Sequence, residues 1–475
     1  MRREVRALVW LLAGMALVSV PARAGTVTPF LHRLAASASP VSAIEREAGT
    51  GLFAWDREEA AAGRVRVLLR RDPVVPWSEL RVGVQRIAPT ARWEGEAGDL
   101  AQLVLPFSDL LATGALPGVE LLFRPPRGQP ARIDSEGLEM MEVPAIHATG
   151  TRGRDVRVAV LDLGFAGYEA LLGTELPADT RVRSFFESPA GSGDITGGGE
   201  SHGTACAEIV HDVAPEAQLY LVNAATPIDL SAAVDWLIEE NVSVISHSVG
   251  WYFGGLDGTG PINDIAARAA RAGVLWVNSA GNEAQRHYWT AAEDRDGDGL
   301  LELAPDDEGI DFHRVGAGQT LAVVLLWDLW PISPDLDLVL EIVDDSGEIV
   351  RSSADAYGNA LYAYRDIQWD SPDGAPVTLR VRRARGSIAG RTLHLFRVGS
   401  GARMEEHVRA DRSLLAPADS PEVLTVGAVN WETEALERYS SRGSLDGPSP
   451  KPELCGPVGI TTGTIADFRG TSAAA

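Results

Sequence analysis

The sequence predicts an α/β protein: a three-layer, mostly parallel sheet, interrupted by an inserted β-sandwich and preceded by a smaller α+β region. Three observations predict it. Residues 156–163 read V-R-V-A-V-L-D-L, a mostly apolar strand of the kind a parallel sheet buries on both faces. Strand and helix signals then alternate: strand over 218–222, helix over 230–240, strand over 242–246, helix over 262–272 and strand over 274–278. That rhythm stops at Asn282. From about Thr320 to Val398 the pattern is all-β, with strands expected over 321–327, 336–343, 377–381 and 392–396, and α/β texture resumes at 423–429.

Arg2, Arg3 and Arg6 precede an apolar run over residues 7–20, and Ala22-Arg23-Ala24 follows. A basic segment, a short apolar segment and a small-x-small site in that order describe an export signal, so residues 1–24 are expected to be removed, with Gly25 the first residue after cleavage. The run is shorter than the roughly 20 apolar residues of a spanning helix. The expectation is a secreted or periplasmic protein with no stable membrane anchor. Residues 25–150 mix polar and apolar character, with strand-like pieces at 65–69, 80–84 and 101–105 and a break at Pro125-Pro126-Arg127-Gly128. They are expected to form a small α+β unit. The remainder divides into 151–290 and 406–475 as two parts of one α/β domain, with an acidic loop and the β-sandwich at 291–405.

At 475 residues the chain exceeds one ordinary core. Its formal net charge of −24 lacks the basic surface that nucleic-acid binding needs. With only Cys206 and Cys455 present, no disulfide scaffold or cysteine-rich zinc site carries the fold, and whether the two pair is open.

Asp162 ends the first predicted strand, on the side where open α/β sheets place ligands; alone, such an aspartate is as often a turn former or cap. His202 lies in Ser201-His202-Gly203-Thr204-Ala205-Cys206-Ala207, where glycine permits close backbone approach and small residues permit close helix packing. A structural histidine fits the same context. Ser472 lies in Arg469-Gly470-Thr471-Ser472-Ala473-Ala474-Ala475. A serine opening a helix has N–H groups and the helix dipole ready for a developing oxyanion, although Gly-Thr-Ser is common by chance. Cys206 falls on the face of His202 one turn later and is read as a small packing residue beneath the histidine.

In the order Asp, His, Ser and with these flanks, the set resembles the subtilisin-like serine proteases (subtilases). Val158-Ala159-Val160-Leu161-Asp162-Leu163-Gly164 is similar to the family's aspartate strand, and Ser201 to Ala205 to its His-Gly-Thr segment. Ser248-Val249-Gly250 stands where the family has Ser-Leu-Gly, and Ser279-Ala280-Gly281-Asn282 where it has Ala-Gly-Asn. Tyr439-Ser440-Ser441-Arg442-Gly443 and Lys451-Pro452-Glu453-Leu454 are similar to two further landmarks. The resemblance implies a subtilisin-like fold and a serine endopeptidase in which Ser472 attacks, His202 takes the proton and Asp162 orients the imidazole. It implies Asn282 as oxyanion donor, Ser248, Val249 and Gly250 as the backbone that pairs with a protein or peptide substrate, and residues 25–150 as a propeptide that inhibits the enzyme intramolecularly. No cofactor is required for that chemistry.

Asp294-Arg295-Asp296-Gly297-Asp298-Gly299 opens the insertion, and residues 291–311 hold nine acidic residues against one basic. Asp294, Asp296 and Asp298 suit a structural calcium ion or a solvated acidic loop equally; an EF-hand would need glutamate where Pro305 stands. Trp251-Tyr252-Phe253 reads as packing, with a substrate subsite as the other reading. Three residues follow Ser472, less than one helical turn, so the sequence alone predicts an inactive or poorly folded 475-residue polypeptide and an active complete parent. Two other readings stand beside the protease: a catalytically silent fold of the same family, and a calcium-dependent extracellular binding module centred on the sandwich.

Overall fold

The structure is a computed structural model, and it describes residues 26–36, 59–125, 128–130, 137–186, 193–313, 315–327, 336–355, 363–399, 401–444, 450–465 and 467–475. The expected export signal, residues 1–24, lies outside them. Among the described residues no helix is long and apolar enough to cross a membrane.

The first unit is a five-stranded sheet of β1 (Thr26–Val27), β2 (Arg64–Arg71), β3 (Arg92–Ala97), β4 (Leu100–Pro106) and β5 (Val119–Phe123), in the order β1-β5-β2-β4-β3. Helices α1 (Pro29–Ala36) and α2 (Trp77–Ile87) cover one face. Residues 80–84, expected as a strand, are a correction: they lie inside α2. The apolar residues that matter there are one helical turn apart, Leu80 and Val84 being buried at 2% exposure each while Val82 between them is 70% exposed. A short strand, β6 (Gly128–Pro130), leaves this unit.

The central sheet is entirely parallel, in the order β22-β21-β12-β10-β7-β9-β8. Its strands are β7 (Arg157–Asp162), β8 (Arg181–Ser184), β9 (Gln218–Asn223), β10 (Val244–His247), β12 (Leu275–Ser279), β21 (Leu424–Asn430) and β22 (Leu454–Val458), with the rim strand β11 (Val249–Trp251) standing apart. Along β7, Val160 packs toward one face while Ala159 and Leu161 pack toward the other, as a strand buried on both sides requires. The face under Val160 is covered by α3 (His202–Val213), and the opposite face by α4 (Pro227–Glu239) and α5 (Pro261–Arg271). The result is the three-layer α/β arrangement expected. Beyond α4 the first unit docks: Leu68, Leu100, Leu121 and Phe123 share one core with Ile228, Val234 and Leu237.

Between β12 and β21 the chain builds two antiparallel four-stranded sheets around a separate core. One orders β13 (His287–Ala291), β20 (Thr392–Val398), β15 (Thr320–Trp327) and β18 (Tyr364–Asp370). The other orders β14 (Gly309–Phe312), β19 (Val377–Arg385), β16 (Asp337–Asp344) and β17 (Ile349–Ser352). A final turn, α6 (Thr471–Ala474), lies against β21 and β22, with Thr471, Ser472 and Ala473 buried.

Candidate active site

The parallel sheet delivers β7, β10 and β12 to one edge with their carboxyl ends aligned, where Asp162, His247 and Ser279 stand as the last residues of their strands. Asp162 is 1% exposed and accepts from the Leu163 N–H at 2.7 Å. Its other oxygen lies 2.8 Å from His202 Nδ1. The helix carrying His202 reaches this close because residue 203 is glycine: a Cβ there would lie 2.8 Å from the Asp162 Cβ and 2.7 Å from the Gly164 carbonyl oxygen. Phe468 flanks the imidazole, ring centroids 6.2 Å apart.

Ser472 joins the same neighbourhood. Its Oγ donates to the Ser248 carbonyl at 3.4 Å, the Ser248 hydroxyl donates to the Ser472 carbonyl at 3.3 Å, and the Cys206 Sγ lies 4.0 Å from that carbonyl. Cys206 is fully buried, with its Sγ within 4.8 Å of ligand atoms of Asp162 and His202. Burial raises its thiol pKa well above the usual value, with the Asp162 charge acting the same way, so it is an inert filler beneath the pair. Cys206 and Cys455 are both free, one buried and one exposed.

Asn282 is 4% exposed, and its Oδ1 accepts from the Thr471 N–H at 3.0 Å. The Gly281 N–H donates to the Thr471 hydroxyl at 2.9 Å, so the asparagine loop and the serine turn hold each other. Of the two upstream landmarks, the first serves the same junction and the second holds the start of β21. Tyr439 OH accepts from the Gly470 N–H at 3.0 Å, Ser441 Oγ accepts from the Glu283 N–H at 2.8 Å, and Lys451 donates to the Val423 carbonyl at 2.7 Å.

Several site residues carried no sequence signal. His247 is buried, and Trp251 Nε1 donates to its Nε2 at 3.2 Å while its Nδ1 lies 2.6 Å from the Leu161 carbonyl. These partners require the neutral tautomer with the proton on Nδ1, and burial pulls its pKa down to about 4. Glu208, on the helix of His202, accepts from Gly463 and Thr464 N–H at 2.5 and 3.1 Å, tying down the loop that leads to Phe468. Leu415 packs against Gly250. A histidine ending a strand or a leucine after a sandwich has no pattern of its own; only the fold gives it a neighbour.

Ser248, Val249 and Gly250 lie on the rim. β11 pairs antiparallel with β6 in the register Val249–Pro130, Gly250–Gln129 and Trp251–Gly128. Trp251, Tyr252 and Phe253 are buried as packing, at 0%, 7% and 3% exposure.

Asp294, Asp296 and Asp298 bring their carboxylate oxygens within 4.8 Å of one another. Each has at least one oxygen that accepts from a backbone N–H. Asp294 accepts from Gly297 N–H at 2.9 Å and is ion-paired with Arg383, Asp296 accepts from Asp298 N–H at 3.2 Å, and Asp298 from Leu300 N–H at 2.7 Å. Three carboxylates in a tight turn, one of them ion-paired with Arg383, are fewer oxygens than the six to eight that a calcium ion takes.

Residues 153–300 match the family model described as the subtilase family. That span takes in Asp162, His202 and Asn282 and stops short of Ser472. The major intracellular serine protease of Bacillus subtilis (strain 168) is 28% identical over 164 residues, which cover 31% of this chain and 49% of that one. Subtilisin E of the same organism is 27% identical over 162 residues, 31% of this chain and 39% of the other. The chain thus spans about half the length, or less, of these curated relatives. Among solved structures, the CspB protease of Clostridium perfringens matches at 16% identity and a TM-score of 0.48, over 70% of this chain and 83% of that one.

Proposed function

We propose, for a chain that carries a subtilisin-like serine protease domain over residues 153–300, that the protein is a secreted serine endopeptidase acting through Asp162, His202 and Ser472. One observation carries the reading: a buried aspartate–histidine pair at 2.8 Å, with a serine hydroxyl on the adjoining helical turn, drawn from three distant stretches to one sheet edge. In the reaction, Ser472 Oγ bonds to the scissile carbonyl carbon as its proton passes to His202 Nε2. The C–N bond then breaks and the amine leaves with that proton. Water, deprotonated by His202, next attacks the acyl-enzyme, releasing the acid and restoring the serine. Asp162 holds Nδ1–H and stabilises the imidazolium. The Asn282 amide and the Ser472 N–H stabilise the oxyanion.

A substrate would add to β11 as an antiparallel strand, main chain to main chain. The chain's own β6 takes that place, and the first unit docks over α4, which supports reading residues 25–150 as an intramolecular inhibitor. Secretion rests on the N-terminal sequence alone. A silent relative of the family is disfavoured by the engaged Asp162–His202 pair, and an adhesive calcium module by the Arg383 contact of Asp294.

The test is hydrolysis of an internally quenched peptide by the purified protein, with new amino termini appearing and activity abolished by Ser472→Ala. Activity unchanged in that variant overturns the proposal.

A further inference from the structure

Which peptide bond such a site accepts is written on the side-chain face of β11, and the inference rests on the endopeptidase reading above. In antiparallel pairing, opposite residues share a face and alternate residues return to it. Extending the observed register, Gly250–Gln129 and Val249–Pro130, a peptide lying in the place of β6 sets its next residue opposite Ser248. Ser248 is the residue whose carbonyl accepts from Ser472 Oγ, so that next residue is the one whose carbonyl the serine attacks. Its side chain shares a face with Gly250.

Glycine at 250 removes a side chain where the substrate's own would need room. The room is taken. A Cβ built on Gly250 would lie 3.0 Å from Leu415 Cδ1 and 3.3 Å from Leu415 Cβ. The segment carrying Leu415 flanks β11 on its other edge, with Trp251 N–H donating to the Ala416 carbonyl at 2.9 Å, so the leucine's backbone is fixed. Its side chain is fixed too. Leu415 is 4% exposed and packs in one cluster with Tyr252 and with Val324, Leu326 and Phe396 of the inserted sandwich, where the Tyr252 and Phe396 rings meet edge to face at 5.3 Å. Displacing it would mean repacking the sandwich face behind it.

We propose that Leu415, buttressed by Val324, Leu326 and Phe396, closes the side-chain pocket of the site, so that the protein cleaves after glycine or alanine and rejects large residues at that position. The inserted sandwich is then part of the specificity of the enzyme.

Two peptidyl diphenyl phosphonates, identical except for an alanine-like or phenylalanine-like residue next to phosphorus, test this on the full chain. Each reacts by forming a Ser472 Oγ–P bond and expelling phenol, read as added mass on the intact protein. The tethered β6 strand slows both probes alike, so their ratio reports the pocket. The alanine probe should react at least about tenfold faster, the scale on which apolar pockets discriminate by side-chain size. Leu415→Gly and the milder Leu415→Ala should narrow or invert the ratio. A small fluorophosphonate lacking any side chain should still label both variants, showing that they fold. A phenylalanine preference in the wild type, or a ratio unmoved in variants that the small probe still labels, overturns the proposal. No labelling of Ser472 by any probe overturns the endopeptidase reading itself, and this inference with it.

Discussion

A buried polar group is costly unless it is hydrogen-bonded, and Asp162, 1% exposed, has a partner on each oxygen, the Leu163 N–H and His202 Nδ1. Asp162→Asn leaves the shape intact but presents an amide donor to Nδ1 and so favours the wrong tautomer. Steady-state kinetics should show a loss of kcat of about 10⁴-fold with little change in KM. Asn282→Ala removes the proposed oxyanion donor and should lower kcat by about 10²–10³-fold, the loss known for such a donor in subtilisin itself. It also frees the Thr471 N–H from its acceptor. Rescue of part of the loss by Asn282→Gln would separate donation from mere support. The proposed triad could be picked out because its residue types stand beside distinctive neighbours: Gly203 after the histidine, Gly470-Thr471 before the serine. His247 and Leu415 could not, because each owes its role to strands brought beside it from elsewhere.

At the scale of elements, two buried ionisable groups set opposite responses to pH. His247 at the end of β10 is held neutral with a pKa of about 4, below the ordinary 6.5. Between those values the unfolded chain binds a proton that the folded one refuses, so stability falls as pH drops from 6.5 toward 4, by on the order of 3 kcal/mol for this residue. His247→Gln should flatten that acid limb in denaturant titrations at stepped pH, whatever its effect at neutrality. Asp229, in the first turn of α4, behaves oppositely. It faces Gln102 and Thr226 directly, and the Arg66–Glu94 pair beyond Gln102, across the docked first unit. Burial there raises its pKa from 3.8 to about 7, against the pull of Arg66. The folded state favours the protonated form, so stability is lost as pH rises from 3.8 to 7 and stays low above. Asp229→Asn should raise Tm at pH 8 and leave it nearly unchanged at pH 4; an equal shift at both values would contradict this. The alternation of strands and helices from 218 to 278 was legible because apolar runs in a parallel sheet leave a plain signature. α2 was misread as a strand because Gly83 and the alternating Leu80, Val82 and Val84 imitate a period of two, and tertiary burial selected Leu80 and Val84 instead. β8, whose Arg181 and Val182 are exposed, and the short β22 gave too little apolar contrast to register.

Across the whole molecule, three packing units meet at one sheet edge. The first unit shares a core with α4 and sends β6 onto β11; the sandwich packs behind Leu415 and Tyr252; the α/β unit carries Asp162 on β7, His202 on α3 and Ser472 on α6. The sequence revealed that an all-β unit interrupts the α/β domain, from the change of periodicity alone. It could not reveal that this unit packs behind β11, since nothing in a strand's alternation says which neighbour its outer face will meet. The central claim is that residues 310 positions apart in the chain, Asp162 and Ser472, work with His202 as one nucleophilic unit. Mapping the site of fluorophosphonate attachment by peptide mass spectrometry tests it most directly. A single adduct on Ser472, formed quickly in the wild type and lost in His202→Ala, is the result expected. An adduct on another serine, or one on Ser472 that forms equally fast without His202, would contradict the account.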